Sequence, residues 1–457
     1  MKSVLLRCGL AGVIATSASL AQTPEVREHT AVSTHYTVTD LGLANGSTPG
    51  QPFVIKNDGL IAGSANVPIP SFATAWHATL SFLGAQIDLA KNGSVSGVNS
   101  AAFGVNEWGQ AVGEVESQQT DPKLEDFCGF GTVRGCQAFI WKNGIMSPLP
   151  MLTDAKGAAG HNAAAKGINI LGQVGGMAEN TTLDSTCPVY NPNPIALQFQ
   201  IYQFKPVVWN DGEIQPLPTS GIDSKGNAFD DPDGVVFRIN DRGQAVGSTG
   251  TCSGYSSFLT YLNSLHATLW QDGYLIDLGN LGGAAAPGIG NFAYDINKTG
   301  EVAGTSGTSD GSFHAFYWSA ETHIQDLGTV PGDVGSVGLA IDDAGDIGGV
   351  SFPADPNASP RAFVRPEGGA MVDLNTLIPA SSELYLFSVC SINSQGEIIG
   401  LALDASGNFH GYLATPSSST GGSDNLPALS RSARFDSAWS LLRERPSPLD
   451  ALLPKQR

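Results

Sequence analysis

Four histidines stand at equivalent or nearly equivalent places in a repeated pattern, and their side chains could bind a metal ion: His77, His266, His314 and His410. Aspartates recur in a second repeated run, in the copies that contain Asp40, Asp88, Asp277, Asp326 and Asp373. Residues that recur once in each unit of an array lie far apart in the folded chain, because each belongs to its own unit. We therefore interpret both sets as residues that hold the repeats together. Function is then expected in segments that are not repeated.

One such segment is rich in oxygen donors within a glycine-containing stretch. Its candidate ligands are Asp223, Asn227, Asp230, Asp231 and Asp233. Ca²⁺ prefers about six to eight oxygen ligands, so this segment is a candidate calcium site and the one cofactor site that the sequence suggests. The spacing fits no EF-hand, and Lys225 lies among the acids. A solvated acidic loop is the alternative that these two features favour.

Three long links that interrupt the repeat carry most of the non-repeated aromatic residues. The links are 114–135, 177–204 and 248–265, and their aromatic residues are Phe127, Phe130, Tyr190, Phe199, Tyr202, Phe204, Tyr255, Phe258 and Tyr261. Aromatic rings on loops can stack on sugar rings or peptide side chains, or they can pack the loops onto the scaffold. Both interpretations stay open. We choose Tyr190, Tyr202 and Tyr255 as candidate ligand contacts.

The cysteines predict two disulfide bonds. Cys128 and Cys136 lie close together in one link, while Cys187 and Cys252 lie in links of neighbouring units. Disulfides are typical of exported proteins. Cys390 falls in an apolar run that we expect to be a buried strand, so we interpret it as a free thiol.

Common catalytic signatures are missing from the chain. The sequence contains no Gly-x-Ser-x-Gly, no His-Glu-x-x-His and no phosphate-binding Gly-x-x-x-x-Gly-Lys motif. Loop carboxylates leave one enzymatic alternative open, a hydrolase or lyase that acts on an extracellular polysaccharide with two carboxylates as acid and base. Two such groups facing each other within roughly 5–10 Å in a pocket would favour it.

These residues must be positioned by a repeated hairpin, which the chain contains seven times. Each copy reads as an apolar residue, usually Asn, two free positions and Gly, followed by a short apolar run; the copies begin at Ile55, Val105, Ile168, Ile239, Ile296, Ile341 and Ile392. The Asn side chain can accept a hydrogen bond from the backbone two residues on, and Gly accepts the positive φ of a tight turn. Lys56 and Asp342 replace Asn in two copies.

Four short runs recur in fixed order, and each class has seven copies. The run that enters the turn is followed by the run that leaves it, a His-Ala-aromatic run and an Asp-Leu run. The period is 45 residues between Asn297 and Asp342 and 71 residues between Asn169 and Asn240, as in four-stranded propeller blades with variable loops. We predict an all-β protein, a seven-bladed β-propeller over residues 36–414. An N-terminal strand at 36–42 completes the last blade, so the closed ring has no free edge there.

The repeated residues resemble the HAF repeat family, probable extracellular repeat proteins of bacteria. The resemblance covers 36–414 and rests on His-Ala-Phe at 314–316, Asp-Leu-Gly at 326–328 and the Ile-Asn-x-x-Gly turn. It implies export and an array of repeats, and it implies no established activity. Lys205-Pro206 and Pro148 depart from the family pattern, so irregular blades are expected there.

Composition and the chain ends predict an exported protein. The formal net charge is −19 and charged residues are 14% of the chain, which argues against nucleic acid or an anionic membrane surface as partner. Residues 1–21 read as a signal peptide cleaved after Ala21, residues 22–35 as an N-terminal extension and residues 415–457 as a flexible tail. We predict a monomeric, secreted or periplasmic binding or structural module whose ligand is a carbohydrate or a protein.

Overall fold

The computed structural model describes the repeat region. The described residues are 34–43, 50–69, 72–82, 85–91, 99–187, 201–252, 262–283, 290–355 and 357–417. Within them the regular structure is β apart from two 3₁₀ helices, Leu89–Lys91 and Leu374–Leu377. No helix in these ranges is long and apolar enough to cross a bilayer. The predicted signal peptide lies outside the described residues, as do nearly all of the predicted extension and tail.

Thirty strands, β1 to β30, form seven four-stranded antiparallel sheets and one small hairpin in the described part of the chain. The first strand is β1 (His35–Leu43). Blade 1 consists of β2 (Gln51–Ile55), β3 (Ile61–Ile69), β4 (Phe72–Phe82) and β5 (Ala85–Asp88). Blade 2 consists of β6 (Ser100–Val105), β7 (Ala111–Thr120), β8 (Arg134–Lys142) and β9 (Ile145–Pro148). Blade 3 consists of β10 (Ala163–Ile168), β11 (Val174–Leu183), β12 (Tyr202–Asn210) and β13 (Glu213–Pro216).

The hairpin of β14 (Ser220–Ile222) and β15 (Ala228–Asp230) precedes blade 4. Blade 4 consists of β16 (Asp233–Ile239), β17 (Ala245–Cys252), β18 (Leu262–Gln271) and β19 (Tyr274–Asp277). Blade 5 consists of β20 (Phe292–Ile296), β21 (Val302–Gly307), β22 (Phe313–Ser319) and β23 (His323–Asp326). Blade 6 consists of β24 (Asp333–Ile341), β25 (Ile347–Pro353), β26 (Arg361–Arg365) and β27 (Val372–Asp373). Blade 7 contains β28 (Tyr385–Ile392), β29 (Ile398–Leu403) and β30 (Phe409–Ser417).

The N-terminal strand closes the ring. The sheet order of blade 7 is β1-β30-β29-β28, so β1 is its outermost strand. The pairing is antiparallel and runs from His35 opposite Ser417 to Leu43 opposite His410. Tyr36 is buried in the core of this blade, with Tyr412. The predicted seven-bladed propeller and its closure by strand exchange are both confirmed.

The repeated Asn-x-x-Gly segment forms the turn between the first and second strand of each blade. In blade 4, Asn240 Oδ1 accepts hydrogen bonds from the backbone N–H groups of Arg242 and Gln244 at 3.0 and 3.1 Å. Gly243 has a φ of +76°, and the six other turn glycines are also in the left-handed region. The sequence prediction for this turn is therefore correct in its mechanism as well as its position.

The same asparagines also link neighbouring blades. Each donates from Nδ2 to the backbone carbonyl at the equivalent position of the next turn: Asn106 to Asn169, Asn169 to Asn240, Asn240 to Asn297, Asn297 to Asp342, and Asn393 across the closure to Lys56, at 2.9–3.1 Å. Lys56 replaces this bond by an ion pair, with its Nζ 3.2 Å from Glu107 Oε1 of the next turn. We call this side of the ring the turn face.

Glycine in the second strand permits a close approach of the first. A Cβ on Gly113 would lie 1.9 Å from the carbonyl oxygen of Ala101, and one on Gly247 would lie 1.8 Å from that of Val235. The register of the first strand shifts at this point in both blades. The glycine thus stands where any larger side chain would collide with the backbone of the first strand.

Apolar residues fill the spaces between neighbouring blades. One cluster joins Val112 and Ala138 of blade 2 to Ala163, Val174 and Trp209 of blade 3. A further cluster, rich in aromatic residues, draws on six blades around the ring. Blades that bury their faces on each other form one rigid support for the links between strands.

Candidate functional site

The insertion face lies opposite the turn face and carries the links from second to third strand, together with the links between blades. The first long link runs from the end of β7 to the start of β8 and is held by its own side chains. Asp121 Oδ1 accepts the backbone N–H groups of Lys123 and Glu125 at 2.7 and 3.1 Å. Asp126 accepts that of Gly131 at 2.9 Å. Cys128 and Cys136 form a disulfide bond, so the link is closed covalently at its base.

Three contacts join the three long links into one wall. The backbone N–H of Ile201, in the second link, donates to Glu125 Oε1 in the first. Cys187 of the second link forms a disulfide bond with Cys252, where the third link begins. The N–H of Cys252 also donates to Thr186 Oγ1 at 3.0 Å. Both predicted disulfides are thus present, and the links of three consecutive blades are tied together.

The described aromatic residues of the wall pack onto the propeller. Phe127 and Phe204 are each 1% exposed and meet edge to face, with ring centroids 6.1 Å apart. Phe130 packs against the same core cluster. Tyr202 begins β12 and is half-buried, with its ring 6.1 Å from that of His161. For the phenylalanines the packing interpretation is correct.

The other candidate ligand contacts, Tyr190 and Tyr255, lie outside the described residues, as do Phe199, Phe258 and Tyr261. Their role as ligand contacts stays a prediction. Within the described part of the wall, large apolar side chains reach solvent at Leu124, which is 52% exposed, and Leu183, which is 61% exposed. They lie on neighbouring links. Neither was singled out from the sequence, because an isolated Leu in a polar loop gives no signal of exposure.

A pair of buried glutamates lies beneath the wall. Glu125 and Glu179 are both completely buried. Burial first, and then the negative charges of neighbouring carboxylates, raise the pKa of Glu125 to about 8 and that of Glu179 well above its usual range. A substrate cannot reach side chains that are closed off from solvent. The pair therefore does not supply the exposed acid and base that a polysaccharide hydrolase requires.

The predicted calcium segment is divided between the hairpin and blade 4. Asp223 Oδ1 accepts the backbone N–H groups of Lys225 and Asn227 at 2.9 and 2.7 Å, which makes it the first residue of a tight turn. Asp231 bonds His266 at 2.9 Å, and Asp233 Oδ1 accepts the N–H of Phe204 at 3.0 Å. Protein donors thus occupy three of these acids. Calcium binding by Asp223, Asn227, Asp230, Asp231 and Asp233 stays a prediction.

The repeated histidines join strands, as their repetition indicated. His77 bonds Asp88, His314 bonds Asp326 and His410 bonds Asp40, in each case through Nδ1 at 2.9 Å between the third and fourth strands of a blade. Arg361 takes the place of His in blade 6 and lies 3.5 Å from Asp373. Blade 4 differs, because His266 turns to Asp231 and is stacked on Phe229 of the hairpin. The hairpin insertion thus replaces the regular partner.

Cys390 is a free thiol, as predicted. Burial raises the pKa of this thiol to about 12, which favours its protonated form at neutral pH.

Comparison with known proteins finds similarity only to distant solved structures. No family model matches the chain, and no curated protein matches it. Among solved structures it is similar to a Porphyromonas gingivalis dipeptidyl peptidase 4, with 12% identity, a TM-score of 0.28 and coverage of 78% of this chain and 44% of the other. It is also similar to a chain of a mitotic checkpoint complex, with 11% identity, a TM-score of 0.33 and coverage of 90% and 98%. The chain thus spans less than half the length of the peptidase.

Proposed function

We propose that this protein is an exported binding module whose ligand, a carbohydrate or another protein, meets the wall on the insertion face. The observation that carries the proposal is the tying of three consecutive links into one surface, by the Glu125–Ile201 hydrogen bond and the Cys187–Cys252 disulfide. Loops that vary in length on a rigid scaffold are where recognition is usually carried. Prior fixing of these loops lowers the entropic cost of binding.

Export is supported by the two disulfide bonds, which persist in oxidising compartments. The proposed location is extracellular or periplasmic, with the first 21 residues as the signal peptide. The resemblance to the HAF repeat family points the same way. Among the described residues, the buried pair of Glu125 and Glu179 does not support the hydrolase or lyase alternative, because a substrate cannot reach it.

The proposal is tested by screening the mature protein on glycan and peptide arrays and measuring Kd for any hit. The site variant is Leu124→Asn with Leu183→Thr, because Asn tolerates the positive φ of 61° at Leu124 and Thr suits a strand end. We expect it to weaken binding at least about tenfold, which corresponds to roughly 1.4 kcal/mol. Tyr202→Ser tests the sequence-based candidate contact in the same assay.

A matched control is available on the turn face. Trp108 and Leu171 are 72% and 69% exposed at the tips of neighbouring turns. The variant Trp108→Gln with Leu171→Gln removes a similar exposed apolar area and should leave Kd unchanged. If the control variant loses binding and the wall variant keeps it, the ligand site lies on the turn face. Cleavage of a polysaccharide by the mature protein would favour the enzymatic alternative instead.

A further inference from the structure

Three carboxylate oxygens beneath the wall have no hydrogen-bond partner among the described residues. They are both oxygens of Glu179 and Oε2 of Glu125, and both side chains are completely buried. Glu179 follows the apolar part of β11 in blade 3, and Glu125 lies in the long link of blade 2. A chain of hydrogen bonds brings the two glutamates together from neighbouring blades. The N–H of Glu179 donates to the carbonyl oxygen of Asn162 at 2.8 Å, and Asn162 Nδ2 donates to Asp121 Oδ2 at 3.0 Å. Asp121 Oδ1 in turn accepts the N–H of Glu125 at 3.1 Å. Buried carboxylates without partners carry a free-energy cost that a proton or a cation must offset.

Other buried acids in this region have protein partners. Glu114 Oε2 lies 3.2 Å from Lys166 Nζ. Glu116 Oε2 accepts a hydrogen bond from Asn99 Nδ2 at 2.7 Å. Such partners show how this fold normally compensates a buried carboxylate. Glu179 and Oε2 of Glu125 lack such a partner in the described part of the chain, and both glutamates lie where two blades meet.

The residues around the pair carry further negative charge and offer few hydrogen-bond donors that are not already in use. Asp121 lies near both glutamates and raises the pKa of each. The side-chain amide of Asn162 and the backbone N–H of His161 face Glu179 and partly offset its charge, although Asn162 Nδ2 also donates to Asp121 Oδ2 at 3.0 Å. Lys123 partly offsets the charge at Glu125. The net charge around the two glutamates is thus strongly negative, which favours the binding of a positive ion.

We propose that Glu125 and Glu179 bind a divalent hard cation, with Ca²⁺ as the natural probe, and that this ion joins the wall to blade 3. Oxygen-only ligands select Ca²⁺ over softer transition metals. The two carboxylates offer up to three free oxygens, and main-chain carbonyls and water complete such a site. This ion site is separate from the predicted one at residues 223–233. It does not depend on the function proposed above.

A proton competes with the cation for the same oxygens. Because burial and mutual repulsion raise the pKa of both glutamates, the pair retains a proton near neutral pH when no ion is bound. Binding of the cation must release it. Affinity for Ca²⁺ should therefore increase between pH 6 and pH 9. This pH dependence distinguishes the buried pair from exposed aspartates, which are fully ionised throughout that range.

The test uses the mature, oxidised chain after treatment with a chelator. Isothermal titration calorimetry with CaCl₂ at pH 8 should show one site, and the same addition should raise Tm, with a matched ionic strength of NaCl giving no shift. Glu179→Gln and Glu125→Gln should each weaken binding at least tenfold and abolish the shift in Tm. Gln keeps the shape of Glu, so either variant remains informative if the other fails to fold.

The control variant is Asp58→Asn, which alters an exposed acid on the turn face and should leave both readouts unchanged. Loss of binding in Asp223→Asn, with binding kept by Glu179→Gln, would place the ion at residues 223–233 and overturn the proposal. So would the absence of any Ca²⁺-dependent heat and Tm shift at pH 8. In that case the pair shares a proton, and the Tm of the intact protein alone would fall as pH rises through about 8.

Discussion

The two faces of the ring are held by different means. On the turn face, one residue type at one position of each repeat links neighbouring blades, as when Asn169 Nδ2 donates to the carbonyl oxygen of Asn240. On the insertion face, each contact occurs once: the Cys128–Cys136 bond, the Cys187–Cys252 bond and the Glu125–Ile201 hydrogen bond. The first arrangement distributes stability over many equal bonds. The second concentrates it in a few places.

This difference shows which face can change. A surface built from identical short bonds tolerates the loss of one, but an insertion there would break the regular spacing. The long links of the other face can vary in length, provided that each link carries its own cross-link to the scaffold or to its neighbour. The two disulfide bonds are such cross-links. Long links with a recognition role are therefore expected on the insertion face.

The largest expected effect comes from opening the ring, on which both faces depend. Deleting residues 22–43 removes β1, exposes the edge of β30 and uncovers the core that contains Tyr36. We expect a loss of at least about 5 kcal/mol, from the buried side chains and the pairing along the strand. Calorimetry should show a much lower Tm or no cooperative transition.

The matched control for this deletion removes only residues 22–33, which precede β1. It should melt like the mature protein. Equal Tm values for both truncated proteins would mean that blade 7 is stable with three strands. The closing strand would then contribute little to either face.

Removing the disulfide between links is the next largest change. In the chain-entropy model, the Cys187–Cys252 bond, with a sequence separation of 65, contributes about 4 kcal/mol, and the Cys128–Cys136 bond, with a separation of 8, about 2–3 kcal/mol. The paired Cys→Ala variants should therefore rank in that order in urea unfolding. The opposite order would show that native packing, rather than loop closure, sets the stability of the wall.

On the turn face, the loss of a single hydrogen bond between blades should lower the free energy of unfolding less than the loss of a disulfide bond does. Asn240→Ala removes the bond to the carbonyl oxygen of Asn297 and leaves that buried group without a donor, at an expected cost of about 1–3 kcal/mol. Asn240→Asp retains the acceptor for Arg242 and Gln244 but loses the donor and adds a buried charge, so at neutral pH it should cost more than the loss of the link alone. A cost of Asn240→Ala above that of the disulfide variants would contradict the distributed model of this face.

The sequence predicted what is local and repeated. Asn-x-x-Gly identifies its own turn, because the asparagine accepts from its own backbone, and seven such turns indicate the ring. The second bond of the same asparagine was not predicted, since it depends on where the next blade lies. The ion pair of Lys56 with Glu107 was missed for the same reason.

The buried glutamates were also missed, because the two residues are far apart in sequence and each looks like an ordinary loop or strand acid. One signal was available for Glu179. It follows the apolar run Val174–Ala178 directly, and an acid that continues an apolar strand is a candidate for burial. Nothing in the sequence around Glu125 indicates its partner.

The last prediction concerns the blade 6 turn, where Asp342 replaces the usual asparagine. Asp342 accepts the backbone N–H groups of Ala344 and Asp346, as asparagine does, but its carboxylate has no hydrogen to donate to the next turn when ionised. Burial first, then the charges of Asp346 and Asp343, raises the pKa of Asp342 to about 6. Asp342→Asn should remove this buried charge and supply the missing donor toward Asn393. We expect a gain of about 1–2 kcal/mol at pH 7.5, after allowance for solvent screening.

The sign of the pH dependence follows from the raised pKa. An unfolded aspartate has a pKa of about 3.9, so the folded protein binds the proton more tightly, and the cost of ionising Asp342 grows as pH rises from about 4 to above 6. Below pH 4 the protonated side chain resembles asparagine. The difference in Tm between Asp342→Asn and the parent should thus be small at pH 4 and largest at pH 7–8. A gain that is equal at both pH values would come from the added hydrogen bond alone. The charge of Asp342 would then have no effect on the stability of this turn.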